Sequence, residues 1–150
     1  MPRRATLFTT AIGLATLLAV GCGKPSTAPL KVKVLHDGKP VGNCAVRFVP
    51  DVETPDPQRI GYGNTDANGE CEIALLMTGE KGLPAGTYKV TFEAWKDKKG
   101  KEIPPTEKPS EVEGGVIDRL PQNLKSIGST PERFTMTSGV STHEFQLTGK

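Results

Sequence analysis

A chain of 150 residues has room for one domain of ordinary size, and its charges balance: 19 Lys and Arg stand against 17 Asp and Glu. Arg3 and Arg4 both lie at the extreme N-terminus, and the rest of the chain is formally neutral, which excludes the basic footprint of a nucleic-acid binder. Apolar residues make up only 35% of the chain, so the core is modest, while 17 Gly and 13 Pro favour short strands joined by turns over long helices.

Residues 1–21 read as a secretory leader. Arg3 and Arg4 give it a positive start, and Leu7 to Val20 form an uncharged apolar run. That run falls short of the roughly 20 residues needed to span a hydrocarbon core. It ends in Leu17 to Cys22, "LLAVGC", which resembles a bacterial lipobox. The resemblance implies that Cys22 receives a diacylglycerol on its thiol and becomes the mature N-terminus. A third acyl chain, of the palmitate kind, can then be added to its amine. Two or more chains anchor a protein stably where one does not. The lipid bilayer is therefore an expected partner through Cys22. Residues 22–29, running on through "GKPSTAP", read as a polar tether. Gly23 is not the Asp that retains some lipoproteins in the inner membrane, so the expected location is the cell envelope, at the outer membrane.

The domain is expected over residues 30–150. Leu30–Leu35 alternates as a first strand, turned by Asp37-Gly38 with Pro40 leading into the next. Cys44–Val49 is a second strand, ended by Pro50, and "DVETPDPQR" is a Pro-rich loop. Arg59–Thr65 is a weak strand because of Gly61 and Gly63, and Asp66 to Gly69 is a turn into a strand over Cys71–Met77. Gly69 is expected at positive φ. Thr87–Trp95 is the strongest strand, with Tyr88, Val90, Phe92 and Ala94 on one face. Residues 96–132 are polar and Pro-rich, without strand character. The last pair of strands is Arg133–Thr137 and Thr142–Leu147, joined through Ser138-Gly139. The core is assigned to Phe48, Tyr62, Tyr88, Phe92, Trp95, Phe134 and Phe145. No helical periodicity is present, so the reading is an all-β, about seven-stranded antiparallel sandwich.

Export would leave Cys44 and Cys71 in an oxidising compartment. By alternation, Cys44 shares a face with Val46 and Phe48, and Cys71 shares one with Ile73 and Leu75. Both thiols then point at one core, and a disulfide between them is expected. Two buried free thiols, or a redox or metal pair, remain the alternatives. No CxxC spacing favours the last.

Four motifs in order resemble the carboxypeptidase-regulatory-like, transthyretin-like domains, a branch of the Ig-like sandwiches. They are "VLHDGKPVGNCAVRFVP", "TDANGECEI", "LPAGTYKVTF" and "THEFQL", together spanning residues 30 to 147. The resemblance implies structural turns at Gly38, Pro40, Asp66, Gly69 and Gly86. Cys71 stands where that family usually has an aromatic residue and Cys44 where it usually has Ala; a disulfide replacing a packed aromatic would explain both departures. A lipobox followed by one such domain resembles small bacterial lipoproteins without an assigned activity.

Two enzyme families share the architecture. Hydroxyisourate hydrolases close on Tyr-Arg-Gly-Ser, whereas this sequence reads Phe145 to Lys150, "FQLTGK". Intradiol dioxygenases bind iron through two Tyr and two His, and this chain has Tyr62, Tyr88, His36 and His143. That family sets its histidines one residue apart, and here more than a hundred residues intervene. Both histidines are expected as exposed surface residues. Asp66 to Glu70 has the look of a calcium loop but lacks the distal ligands, and Lys96 to Lys101 reads as a solvated hairpin tip. No catalytic residue, metal site or cofactor is expected. The expected role is a non-catalytic binding or structural module with an unidentified protein or glycan ligand, its contact loops at 50–59 and 96–132. An unrecognised periplasmic or surface enzyme is the alternative.

Overall fold

The structure, a computed structural model, describes residues 26–149. The leader, the lipobox and Cys22 lie outside the described residues. Fourteen short strands follow one another: β1 (Thr27–Ala28), β2 (Lys31–His36), β3 (Lys39–Pro40), β4 (Ala45–Pro50), β5 (Gly61–Asn64), β6 (Glu70–Glu72) and β7 (Ala74–Leu75). They continue as β8 (Leu83–Pro84), β9 (Gly86–Glu93), β10 (Trp95–Asp97), β11 (Glu102–Ile103), β12 (Val116–Asp118), β13 (Arg133–Met136) and β14 (Thr142–Leu147). The described residues contain no α-helix, only three short 3-10 turns. The fold is all-β, as composition and alternation required.

Two sheets carry most of the chain. One runs β13-β9-β4-β5-β7, antiparallel throughout; the other runs β14-β2-β3, with β6 also paired to β2. Their inner faces meet through aromatic rings. Phe145 of β14 lies 5.1 Å from Phe92 and 6.0 Å from Phe48, centroid to centroid, both on the opposite sheet. Phe48 in turn meets Phe134 at 5.5 Å and Tyr88 at 6.3 Å, edge to face. The alternation of β9 explains its place at the centre: Tyr88, Val90, Phe92 and Ala94 are all fully buried. Tyr88 also buries its hydroxyl, which donates to Pro84 O at 2.7 Å, so its polar end is satisfied four residues upstream.

The segment after the Asp66 turn serves both sheets. β6 pairs with β2, then β7 pairs with β5, and the fully buried Ile73 sits at the crossing. Its N–H donates to Leu30 O in one direction, while its carbonyl accepts from Gly82 N in the other. Sequence alternation ran unbroken through this segment because the switch costs no change of face.

Five expectations are corrected. Among the described residues the strands number fourteen and not about seven, because several loops contribute two-residue pairs that carry no pattern of their own. The closing strand β14 runs parallel to β2, so the sheets are not wholly antiparallel, and β13 and β14 lie in different sheets despite the short connection. Residues 96–132 hold a third small sheet, β11-β10-β12, and bury Ile103, Leu120 and Leu124. Tyr62 and Trp95 are only half-buried; Tyr62 pairs across from Arg47 on the outer face. Thr27 and Ala28, read as tether, pair with β8, and the chain approaches so closely there that a Cβ on Gly82 would stand 2.0 Å from Ala28 O.

Candidate functional site

Of the residues expected at turns, Gly38, Asp66 and Gly69 belong to turns, whereas Pro40 ends β3 and Gly86 opens β9. Asp37 and Gly38 both take positive φ, 49° and 78°, as a two-residue hairpin requires, and Pro40 pairs with Leu35 behind them. Asp66 Oδ1 accepts from Asn68 N at 2.8 Å and Glu70 N at 3.0 Å, so the carboxylate closes the turn. Gly69 sits at φ 76° and Gly86 at φ 150°. Asp97 repeats the device in the β10–β11 hairpin, accepting from Lys99 N and Lys101 N, each at 2.8 Å; the lysine run is a hairpin tip.

The expected disulfide is not formed: Cys44 and Cys71 are both free thiols. Cys44 is fully buried at the start of β4, its Sγ 3.6 Å from Ala45 O. Cys71 is half-buried and rests over Gly63, where an added Cβ would come within 2.9 Å of its Sγ. Burial pushes both thiols up to about 12, Cys44 further helped by the neighbouring Cys71 and Cys71 by Asp66. A thiol held neutral in this way is a poor nucleophile and a poor metal ligand.

The histidines depart from expectation as well. His36 Nε2 lies 2.9 Å from Gly149 O and is partly covered. His143 packs its ring on Phe145 at 4.5 Å and Phe134 at 5.0 Å, and this burial lowers its pKa, with Glu132 opposing in part. Polar residues at an alternating strand position gave no sign of which face was covered. His143 pairs with Val32 and His36 with Leu147, four positions further along the same two strands, roughly 13 Å at strand rise. Tyr88 is in the core and Tyr62 on an outer face, so the four iron-ligand types do not converge. Among the described residues no group of three or more His, Cys, Asp or Glu could hold a metal ion.

One sizeable cleft, about 640 Å³, lies along β14, β2 and β6. Pairing sets its residues in rows across the three strands: Thr142, Lys31, Glu72; then His143, Val32, Cys71; then Glu144, Lys33, Glu70. Lys31 meets Glu72 and Lys33 meets Glu70, each at 3.6 Å, and Lys81 closes on Glu72 at 2.8 Å. The Lys81 hydrogen bond and charge, with Lys31 behind them, hold the Glu72 carboxyl below the usual carboxylate range. The cleft thus sets lysine-paired Glu70 and Glu72 beside a protonated thiol and a packed imidazole. Sequence reasoning missed it. The alternating charges of "KVKV" and "ECE" were visible, but which strands lie side by side was not.

No protein-family model matches the chain, and no curated protein matches it. Among solved structures it is similar to a 9R-lipoxygenase from Cyanothece PCC8801, at 17% identity and a TM-score of 0.33. That match covers 95% of this chain and 18% of the enzyme, so the chain spans less than a fifth of the enzyme's length, and a likeness this loose carries no argument about fold or activity.

Proposed function

We propose that this protein is an envelope lipoprotein, held in the outer membrane by an acylated Cys22, whose domain is a non-catalytic transthyretin-like binding or structural module. The observation that carries the reading is the run Leu17 to Cys22, in which small residues lead into a cysteine directly after an apolar leader. The first strand begins at Thr27, so only residues 23–26 separate that cysteine from folded protein. The transthyretin-like assignment is supported by the four sequence motifs, whose Gly38, Pro40, Asp66, Gly69 and Gly86 all lie at turns or strand ends. The non-catalytic assignment is supported by the chemistry of the cleft, where Glu70 and Glu72 are paired with lysines and the thiol stays protonated.

Fractionation of a bacterium expressing the full chain tests the proposal. Detergent should release the protein from envelope membranes where high salt does not. Intact mass should give a mature N-terminus at residue 22 carrying acyl chains, and Cys22→Ser should abolish that mass. Wild-type protein in the soluble periplasmic fraction, with a free amine on residue 22, overturns it.

A further inference from the structure

We infer that the end of the domain where the tether enters seats directly on a zwitterionic phospholipid bilayer, with Leu76, Met77 and Val52 entering its surface. The inference rests on the Cys22 anchor proposed above and adds a second, protein-made contact to it.

Strand pairing fixes which residues share that end. The chain enters β2 at Lys31, which lies across from Glu72, the last residue of β6. From there β7 carries the chain on to a hairpin: Leu75 N donates to Glu80 O, Gly79 N donates to Leu75 O, and Ala74 bridges to Lys81. The tip of this hairpin is Leu76 to Gly79. Leu75 pairs with Gly61 and Gly61 with Phe48, so β4 ends beside it and Val52 follows two residues after Pro50. The N–H of Leu76 donates to Ile60 O at 2.8 Å, tying the tip to the end of the 51–59 loop.

Exposure singles out the same end. Among the described residues the exposed large apolar side chains are Met77 at 67%, Val52 at 59%, Leu76 at 50%, Ile117 at 45% and Ile127 at 40%. The three most exposed all lie at the tether end, whereas Ile117 pairs with Lys96 beyond the far end of β9. Apolar residues scattered singly need no explanation, but the most exposed ones gathered at one end do.

The tether supplies the occupant. Thr27 pairs with Pro84, and its hydroxyl donates to Glu80 Oε1 at 2.9 Å, so the hairpin base is bound to the first strand. Five residue steps separate Cys22 from Thr27, a reach of at most roughly 18 Å. A lipid-held Cys22 thus keeps this hairpin within reach of the headgroups. The lipid type follows from charge. Lys31 and Lys81 share Glu72, and Glu53 and Asp56 follow Val52 in the exposed loop that Arg59 closes, so these charges balance and give no pull towards an anionic surface over a zwitterionic one.

The test uses lipidated full-length protein in phosphatidylcholine vesicles whose acyl chains carry bromine, a quencher of indole fluorescence. With Trp95→Phe removing the native indole, Met77→Trp or Val52→Trp places a reporter at the tether end, and Ile117→Trp places one at the far end. Vesicle flotation reports the anchor separately. The expected result is flotation of all variants with about two-fold quenching at 77 and 52, as for rings some 5–10 Å into the headgroup boundary, and none at 117. Equal quenching at both ends, or none at 77 and 52 in floating protein, overturns the seating and leaves the anchor standing. Blue-shifted emission at 77 without quenching means that a second copy or another protein covers this end, and also overturns it. Protein that fails to float overturns the anchor and the seating with it.

Discussion

Replacing Gly69 by Ala should cost far more than replacing Gly79 by Ala, although the two glycines have nearly the same backbone conformation. Gly69 has φ 76° and Gly79 has φ 70°, so a Cβ strains either position by about 1–2 kcal/mol, offset by about 0.4–1 from the stiffer unfolded chain. At Gly79 nothing stands within 4 Å of that Cβ. At Gly69 it would meet Val34 O at 2.6 Å and Val41 N at 3.1 Å, both backbone atoms of the β2–β3 hairpin and unable to swing aside. Relief means pulling the turn away and breaking the 2.8 Å bond from Val34 N to Gly69 O, beside a fully buried Val34. A buried N–H left unpaired adds about 1–3 kcal/mol. The net expectation is about 2–4 kcal/mol for Gly69→Ala, or a melting temperature lower by about 8–16 °C, against about 0.5–1 kcal/mol for Gly79→Ala. Asn extends the contrast, since it tolerates positive φ: Gly79→Asn should be close to neutral, while Gly69→Asn brings the same Cβ clash. Urea denaturation of the chain lacking residues 1–22, followed by circular dichroism, gives all four values. Gly69→Ala within about 0.5 kcal/mol of Gly79→Ala would refute the argument that close backbone approach, and not φ alone, reserves this position for glycine.

Thr65 is buried, donating to Val41 O at 2.6 Å and accepting from Cys44 N at 2.9 Å; Thr65→Val strands both partners and should cost about 2–4 kcal/mol, with Thr65→Ser well under half of that by the same assay. Burial holds the folded Cys44 and Cys71 thiols at about 12, against 9.0 for a free thiol, so their stabilising effect is intact below pH 9 and is lost as pH rises towards 12. The loss should run at about 1.4 kcal/mol per pH unit per thiol, and Cys44→Ala should show a shallower alkaline decline in urea midpoint than wild type. His143, lowered by burial, should titrate below 6.5 by NMR; its contribution is present above pH 6.5 and is lost as pH falls through the folded value, so His143→Gln should flatten the acid limb. If that limb is unchanged, His143 is not the group responsible.

The fold class was legible because buried apolar residues recur at every second position (Val32 and Val34, Val46 and Phe48, Tyr88, Val90 and Phe92, Phe145 and Leu147), and turn residues with one dominant conformation, such as Asp37-Gly38 and Gly69, mark the ends. Pairing between distant segments was not legible. Nothing in "THEFQL" says that it lies parallel to "KVKVLH", and the small sheet at β10–β12 rests on runs of two or three residues, too short for any period to show. Arg119 is the clearest case of a residue invisible in sequence: it reaches Gly42 O at 2.7 Å and Glu102 at 2.6 Å, fastening that small sheet to the start of β4. The cleft stayed hidden for the same reason, since its charged rows exist only once β14, β2 and β6 are side by side. The free cysteines show the opposite failure: alternation placed both side chains on the inside and the thiols are neighbours, but facing one core does not by itself bring two Sγ atoms into bonding contact.

The parallel seam between β2 and β14 has a consequence for the order of events during synthesis. Lys31 finds its partner Thr142 only when nearly the whole chain exists, and Phe145, which joins the two layers, arrives at the same moment. Closing so long a loop is a slow step. Until it happens, the inner face of β9 has no ring above it. A chain still lacking Thr142–Leu147 therefore has no complete core, and the two layers lock only once that strand has arrived.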